Sequence, residues 1–369
     1  MFSDEHLYAI ALRRCSLIGD ISFKKLMDAE GSAENVWKLP KQKLTSIFGF
    51  GEKKAVEIGD DKHLKFAEKE LKFCEKNSVR ILLRHQNELP KLLNECFDAP
   101  AILYQKGTFD ETKNLLSIVG TRSVTSYGKL FIEDLLEEAK TMNLLTVSGL
   151  ALGVDSEVHQ KSLDKNIPTA AVLAHGFHTL YPSKNRILAE KILENGGALF
   201  TEFNTSQKPD RENFIQRNRI IAGLSPATIV VESAFGGGSM STVTFANSYN
   251  RDVYALPGRI TDKYSQGCNQ VISQHKAATI STIGGLIKNL QINEPTEKTG
   301  ELFPRSEIRM QLTDEQKIIY DTIKNNPLIS LDDISEKTEI PTFKILPILL
   351  DIELSGYIRS FSGRQFQAL

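Results

Sequence analysis

"SIVGTRSVTSYG", residues 117–128, is an apolar run that stops at a glycine and continues through an arginine, small hydroxyl residues and a second glycine. The residues leading into it, Leu115 to Val119, have the aliphatic pattern of a strand buried on both faces, and Phe131 to Ala139 follow with the period of an amphipathic helix. The stretch between them is therefore a strand-to-helix turn. Such a turn presents free backbone N–H groups at the positive end of a helix dipole, which suits a phosphate.

Working outward, the same pattern recurs. LLSIVG, LLTVSG, TAAVLA, ALFTEF, ATIVVES and VYALPG each precede a turn and a helix-like segment. This alternation predicts an α/β fold with a doubly wound parallel sheet across residues 78–290, whose ligands bind at the carboxyl ends of the strands. Residues 1–77 are helical in period, with charged faces and no β-rich run, and read as an all-α domain. Residues 291–311 are polar, contain two prolines and show no period, so they read as a linker; a small domain occupies 312–369.

A chain of 369 residues accommodates two or three domains. Lys+Arg 45 against Asp+Glu 46 excludes a polycation that coats nucleic acid indiscriminately, so any anion site is local. Cys15, Cys74, Cys96 and Cys268 form no CxxC pair and no His/Cys cluster at metal spacing. They read as reduced thiols, with no metal or other cofactor implied. The N-terminus lacks the pattern of a signal peptide and no apolar run approaches a membrane span, which leads us to expect a cytoplasmic protein.

Four strand ends carry unusual residues. Gly120, Thr121, Arg122 and Ser123 follow the first; Ser148 and Gly149 follow the second, with Gly153, Asp155 and His159 just beyond. In TLYPSKNR, Lys184 and Asn185 fall in the first turn of a helix opened by Pro182. A cation there opposes the dipole unless an anion offsets it, so Lys184 reads as a ligand group. In AFGGGSMST, Gly237 and Gly238 permit close backbone approach, and Ser239 and Ser241 are placed to cap the next helix. Between these, NFIQRNRIIAGLS, residues 213–225, is an amphipathic helix. Arg217 and Arg219 lie roughly 200° apart around it, on either side of Asn218. One arginine ties the helix to a carboxylate and the other binds, and the spacing leaves open which.

Catalysis on a phosphoester needs paired carboxylates with a metal, a P-loop, or a histidine backed by an acid. None is plain here. Asp155 and His159, four apart on one helix face, read as a cap and a packed core histidine, and Glu202 is a lone acid; none is taken as catalytic.

GTR followed by SYG, SGLALGVDSEVH, YPSKN, FIQRNRIIAGLS, GGGSMST, DVYALPG and QGCNQVI stand here in the order and spacing of the DNA-processing protein A family, also called Smf, over about 190 residues, and the chain resembles a member of it. The resemblance implies an extended Rossmann-like domain that binds single-stranded DNA without acting as an enzyme. It further implies help in loading a RecA-type recombinase during natural transformation or recombination, and a homodimer. Carried over by motif, DNA phosphates would meet Arg122, Ser148, Gly149 and Lys184, with Arg217, Asn218 and Arg219 nearby. The sequence departs from the family pattern at Phe177 and His178, at GSMST, and at His275 and Lys276, where a glycine near the pairing surface is usual.

Within 1–77, LTSIFGFGEKKAVEI, residues 44–58, resembles half of a helix-hairpin-helix, or SAM-like, module. Its Gly49 to Gly51 turn, with Lys53 and Lys54, would offer a further DNA contact; over residues 36–54 five lysines face one acid, Glu52. Residues 312–369 resemble a winged-helix domain with a β-ribbon turning at Ser362-Gly363. Its nine acids outnumber six bases, and its third helix offers little but Lys344 to DNA, so a protein contact is expected of it. The alternative reading is a nucleoside monophosphate hydrolase that releases the base, from a related Rossmann-like family. That family's PGGxGT run with a following glutamate has no match in GGGSMSTVTF.

Overall fold

The computed structural model describes residues 2–47, 51–290, 312–326, 329–355, 357–361 and 365–368. Two compact units are distinguished, Met1–Pro295 and Thr296–Leu369.

The first unit is built on a nine-stranded sheet. Its strands are β1 (Val79–Leu83), β2 (Ile102–Gly107), β3 (Asn114–Val119), β4 (Leu144–Ser148), β5 (Thr169–Val172), β6 (Ala198–Thr201), β7 (Ala227–Val230), β8 (Asp252–Ala255) and β9 (Ala278–Thr279). Their order is β1-β2-β6-β5-β4-β3-β7-β8-β9. From β6 to β9 every pairing is parallel, and all six runs read as strands from the sequence are present. The fold is thus α/β with a mostly parallel central sheet. The expectation of a wholly parallel sheet is corrected at one edge: β1 and β2 pair with each other, and β2 with β6, in antiparallel register. No long crossover helix joins β1 to β2, so that connection cannot return the chain in parallel.

Helices cover both faces, so β4 to β7 are buried along their whole length. Apolar clusters form on either side of the sheet. Several polar side chains in its interior are hydrogen-bonded: Thr146 Oγ1 donates to Thr169 Oγ1 at 2.7 Å, and Ser117 Oγ donates to the Ile221 carbonyl at 2.7 Å. Topology fixes the functional edge. From β3 the chain winds outward through β4, β5 and β6, then returns to the other side of β3 for β7 and winds outward again. The reversal opens a crevice at the carboxyl ends of β3 and β7.

Residues 2–47 and 51–77 contain the helices Asp4–Arg14, Asp20–Glu30, Ala33–Lys38, Lys41–Ser46, Glu52–Ala55 and Asp61–Lys76, and no strand among the described residues. Local chemistry sets several ends: Ser32 accepts from the Asn35 N–H, Asp60 accepts from the Lys62 N–H, and Gly31 closes a helix at φ 77°. Phe23, Leu26, Trp37 and Ala67 share a core with Ile81, Ile102 and Tyr104 of β1 and β2, so the change from helix to strand at Val79 falls inside one packed unit. Gly49 lies outside the described residues. Gly51 precedes the helix Glu52–Ala55, Lys53 is exposed, and Lys54 donates to Ser22 Oγ at 3.0 Å.

The second unit has helices Asp314–Asn325, Leu331–Thr338 and Thr342–Leu354 and a sheet of β10 (Ile329–Ser330), β11 (Ile358–Phe361) and β12 (Gln365–Ala368), in the antiparallel order β10-β12-β11. Phe343, Leu346 and Leu350 are exposed on its third helix. The linker 291–311 and the Ser362-Gly363 turn lie outside the described residues. No helix among the described residues is long and apolar enough to cross a membrane.

Candidate nucleic-acid interface

The turn after β3 is fastened to the end of β7. The Thr121 N–H donates to the Glu232 carbonyl at 2.7 Å, while the Glu232 carboxylate accepts from the Thr125 N–H at 2.8 Å and from Thr125 Oγ1 at 2.5 Å. Thr125 is the N-cap of the helix Ser126–Ala139. This arrangement leaves no room for a side chain at Gly120, where a Cβ would meet Val154 Cγ2 at 2.6 Å and the Glu232 carbonyl at 2.9 Å. Arg122 and Ser123 point outward and are exposed. The Arg122 guanidinium lies 4.9 Å over the Phe214 ring and has no carboxylate partner among the described residues.

Facing this turn is the helix Arg211–Gly223, capped by Asp210. Arg217 is buried and donates to the Gly149 carbonyl at 2.6 Å and to the Val172 carbonyl. Its guanidinium occupies the space that a side chain at residue 149 would need. Burial lowers the Arg217 pKa to about 10, and burial raises that of Asp155 against the opposing pull of Arg217. Asp155 Oδ2 also accepts from the Ala151 N–H at 3.2 Å, so this carboxylate closes the loop after β4 rather than capping its own helix.

After β7, Gly237 packs against Ser233, and Gly238 is the N-cap of the helix Ser239–Ser248. The capping role expected of Ser239 and Ser241 is not what they do. Ser239 Oγ donates to Ser233 Oγ at 2.8 Å, and Ser241 Oγ accepts from Asn218 Nδ2 at 2.9 Å. No side chain caps that helix; its Met240 and Ser241 N–H groups donate to the Gly237 and Gly238 carbonyls at 3.0 and 3.3 Å. Gly120, Arg122, Arg217, Asn218, Gly238 and Ser239 line one cleft of about 260 Å³ at the switch point of the sheet. It combines a guanidinium with no carboxylate partner among the described residues, a helix N-terminus and two glycine turns, a set of donors matched to phosphate.

Other expected contacts are elsewhere. Ser148 is fully buried, its Oγ donating to the Ile118 carbonyl at 2.7 Å, because β4 is a central strand with no free face. Asn185 is buried and donates to the Leu150 carbonyl and to Ser156 Oγ, each at 2.8 Å, pinning the short turn Ser183–Asn185 to the loop after β4. Lys184 is exposed beside it, in a separate depression with Glu157 and Lys191. Arg219 is the arginine that ties the helix down. Its Nη2 meets Glu202 at 2.5 Å and Asp20 at 3.1 Å, and its Nη1 donates to the Asp98 carbonyl. It is buried away from the cleft and is not available to a ligand there. Two residues of the site were not read from the sequence. Glu232 is a lone acid after a strand, and Phe214 has the period of a core residue but lies beneath Arg122.

His159 packs beneath the cleft. Its Nδ1 is 2.7 Å from Thr169 Oγ1, and burial, with the Arg217 charge second, holds the imidazole down at about 3. The folded protein therefore excludes a proton that the unfolded chain accepts below about 6.5. Stability should fall by ~1.4 kcal/mol per pH unit from about 6.5 downward, reaching ~2 kcal/mol at pH 5, until the folded pKa is passed. Denaturant unfolding of the wild type and His159→Gln across this range measures the term, and the variant should give the shallower dependence.

The profile of the DNA recombination-mediator protein A family matches residues 80–291. The chain is 29% identical to Protein Smf of Synechocystis over the full length of both, and 30% identical to Protein Smf of Escherichia coli over 74% of this chain and 73% of that one. Its structure resembles DNA processing protein A of Streptococcus pneumoniae, with TM-score 0.64, 27% identity, and coverage of 78% of this chain and 98% of that one. It also resembles the Helicobacter pylori protein, solved for its single-stranded DNA binding mode, with TM-score 0.51, 27% identity, and coverage of 57% and 95%. With a family profile matched across more than half its length, on the sheet that carries the cleft, the chain belongs to the DNA recombination-mediator protein A family.

Proposed function

We propose that the chain is a single-stranded DNA-binding recombination mediator that holds DNA phosphates at the carboxyl edge of its parallel sheet and performs no chemistry on them. The observation that carries this reading is the convergence at the switch point. Arg122 has no carboxylate partner among the described residues, and it shares one cleft with the Gly120 turn and the N-terminus of the helix Ser239–Ser248, which no side chain caps. Arg217 and Asp155 form the floor of the cleft and shape it; Arg122 and the backbone donors meet the ligand. Phosphate contacts carry no base information, so sequence preference should be slight. No observation favours the base-releasing hydrolase. The carboxylates nearest the cleft, Asp155 and Glu232, are engaged by Ala151 and Thr125.

The remaining roles follow the family resemblance. The Gly51 to Lys54 segment acts as the second half of a helix-hairpin-helix and adds a phosphate contact through exposed Lys53. The winged-helix unit, acidic and bearing Phe343, Leu346 and Leu350 on its surface, serves a protein contact. The protein works in the cytoplasm as a homodimer that helps load a RecA-type recombinase in natural transformation or DNA processing.

Lys184 tests how far the DNA path extends. It lies outside the cleft, in the depression next to it, and an extended strand crossing both places would reach it. Lys184→Glu should weaken binding of an oligonucleotide of about 16 residues while leaving one of about 4 within a factor of about two of wild type. Fluorescence anisotropy with both lengths decides this. Equal losses on both would place Lys184 at the cleft itself, and no loss on either would remove it from the DNA path.

A further inference from the structure

Three side chains that are far apart in sequence meet within the N-terminal helices. Cys15 is the C-cap of the helix Asp4–Arg14, Glu57 lies beyond the helix Glu52–Ala55, and His63 is in the first turn of the helix Asp61–Lys76. One ligating atom from each lies within 4.8 Å of the others. Cys15 and His63 are 3% and 4% exposed.

The geometry is that of a coordination site rather than of a hydrogen-bonded cluster. His63 Nε2 is buried without a hydrogen-bond partner, and Glu57 Oε2, facing it at 3.6 Å, is too far to accept from it. Zn–N and Zn–O bonds of about 2.0–2.1 Å at a tetrahedral angle set the two atoms about 3.3 Å apart, close to the spacing seen. Glu57 is already oriented. Its Oε2 accepts from the Ser16 N–H at 2.6 Å, and both of its oxygens lie 3.0 Å from Ser16 Oγ, an outer hydrogen-bonding shell of the kind that steers metal-bound carboxylates. Cys15 Sγ makes one weak contact, to the Ala11 carbonyl at 3.5 Å.

We propose that Cys15, Glu57 and His63 bind a zinc-class divalent cation, with a fourth position left to water or an external ligand. Thiolate and imidazole select zinc-like ions over magnesium or calcium. One thiolate and one carboxylate balance the double charge, and the imidazole binds neutral. On binding, the Cys15 S–H bond breaks, its proton leaves to solvent, and the sulfur's electron pair forms the S–metal bond; nothing is oxidised or reduced. Cys15 and Ser16 also line a cavity of about 300 Å³. A bound ion would join the end of the helix Asp4–Arg14 to the start of the helix Asp61–Lys76, so occupancy should stabilise this region. The sequence shows no metal spacing because the ligands come from positions 15, 57 and 63, brought together only by helix packing.

Cobalt(II) titration of the full-length protein, kept reduced with a non-chelating phosphine, tests the site. We expect one equivalent to produce a near-ultraviolet thiolate-to-cobalt charge-transfer band with visible bands of tetrahedral type, bleached by zinc. Cys15→Ser should abolish the charge-transfer band, His63→Gln should weaken cobalt binding by more than about tenfold, and Cys74→Ala should change neither. Zinc should also raise the thermal midpoint of the wild type and not that of Cys15→Ser. Absence of the band in folded wild type, or its persistence in Cys15→Ser, overturns the proposal. If Cys15→Ser does not fold, His63→Gln and the Cys74 control decide it, since binding indifferent to His63 is equally fatal.

Discussion

Replacement of Arg219 by methionine is expected to destabilise the protein by about 3–5 kcal/mol at pH 8, the cost of leaving a buried carboxylate without its counter-charge. Arg219 holds Glu202 and Asp20 together, and its side chain and that of Glu202 are 6% and 3% exposed. Without Arg219, Glu202 Oε1 has no partner and Oε2 keeps only the neutral Gln216 amide at 2.8 Å, whereas Asp20 keeps Arg13 at 3.1 Å, so Glu202 is the carboxylate left without a direct counter-charge. The bridge also joins three parts of the fold: the helix Asp20–Glu30, the end of β6 and the helix Arg211–Gly223. Burial already raises the Glu202 pKa, with Arg219 opposing. Without the arginine the carboxyl should rise further and take up a proton, so the defect should be largest at high pH and shrink as pH falls. Urea unfolding at pH 8 and pH 5 measures both effects. A loss below about 1 kcal/mol would show that the pair is dispensable. Because Arg219 lies away from the cleft, the fraction that stays folded should bind single-stranded DNA as wild type does.

Gly153→Ala should be nearly as costly to stability and far more damaging to binding. Gly153 has φ 85° and ψ −127°, a region that essentially only glycine enters. A Cβ there would lie 2.6 Å from the Arg122 carbonyl oxygen and closer still to that of Thr121. Both obstacles are backbone, so no rotamer change relieves them; the turn that carries Arg122 must move. Strain and overpacking together should cost roughly 2–5 kcal/mol. The displaced turn should also lose most single-strand affinity even at a temperature where the variant is fully folded. Circular dichroism and anisotropy on the same samples check the two halves of this expectation. Alanine at Gly196, where φ is also positive but no atom lies within 4 Å, controls for backbone strain alone and should leave binding unchanged.

The parallel strands were legible because each is a short aliphatic run closed by turn residues, a signal that depends only on neighbours in the chain. The antiparallel edge was not, since the direction of β2 depends on its pairing with β6, nearly a hundred residues later. Helical spacing established that Arg217 and Arg219 diverge, but which one is tied down depends on Asp20, contributed by another helix. Ser148 has the residue type and strand-end position of a phosphate ligand. Only the position of β4 in mid-sheet turns its hydroxyl onto Ile118. Phe214 has the period of a core residue and lies under Arg122 instead, because the helix Arg211–Gly223 borders the crevice. In each case the missing information was tertiary.

The central claim is that Arg122 and the cleft around it hold the phosphates of single-stranded DNA. Equilibrium binding of one single-stranded oligonucleotide to wild type and Arg122→Ala across a salt series tests it most directly. The account predicts that the variant stays folded, binds more weakly at every salt concentration, and gives a log–log slope shallower by about 0.7, the loss of one phosphate contact on a single strand. A folded Arg122→Ala protein with wild-type affinity and an unchanged slope would contradict it.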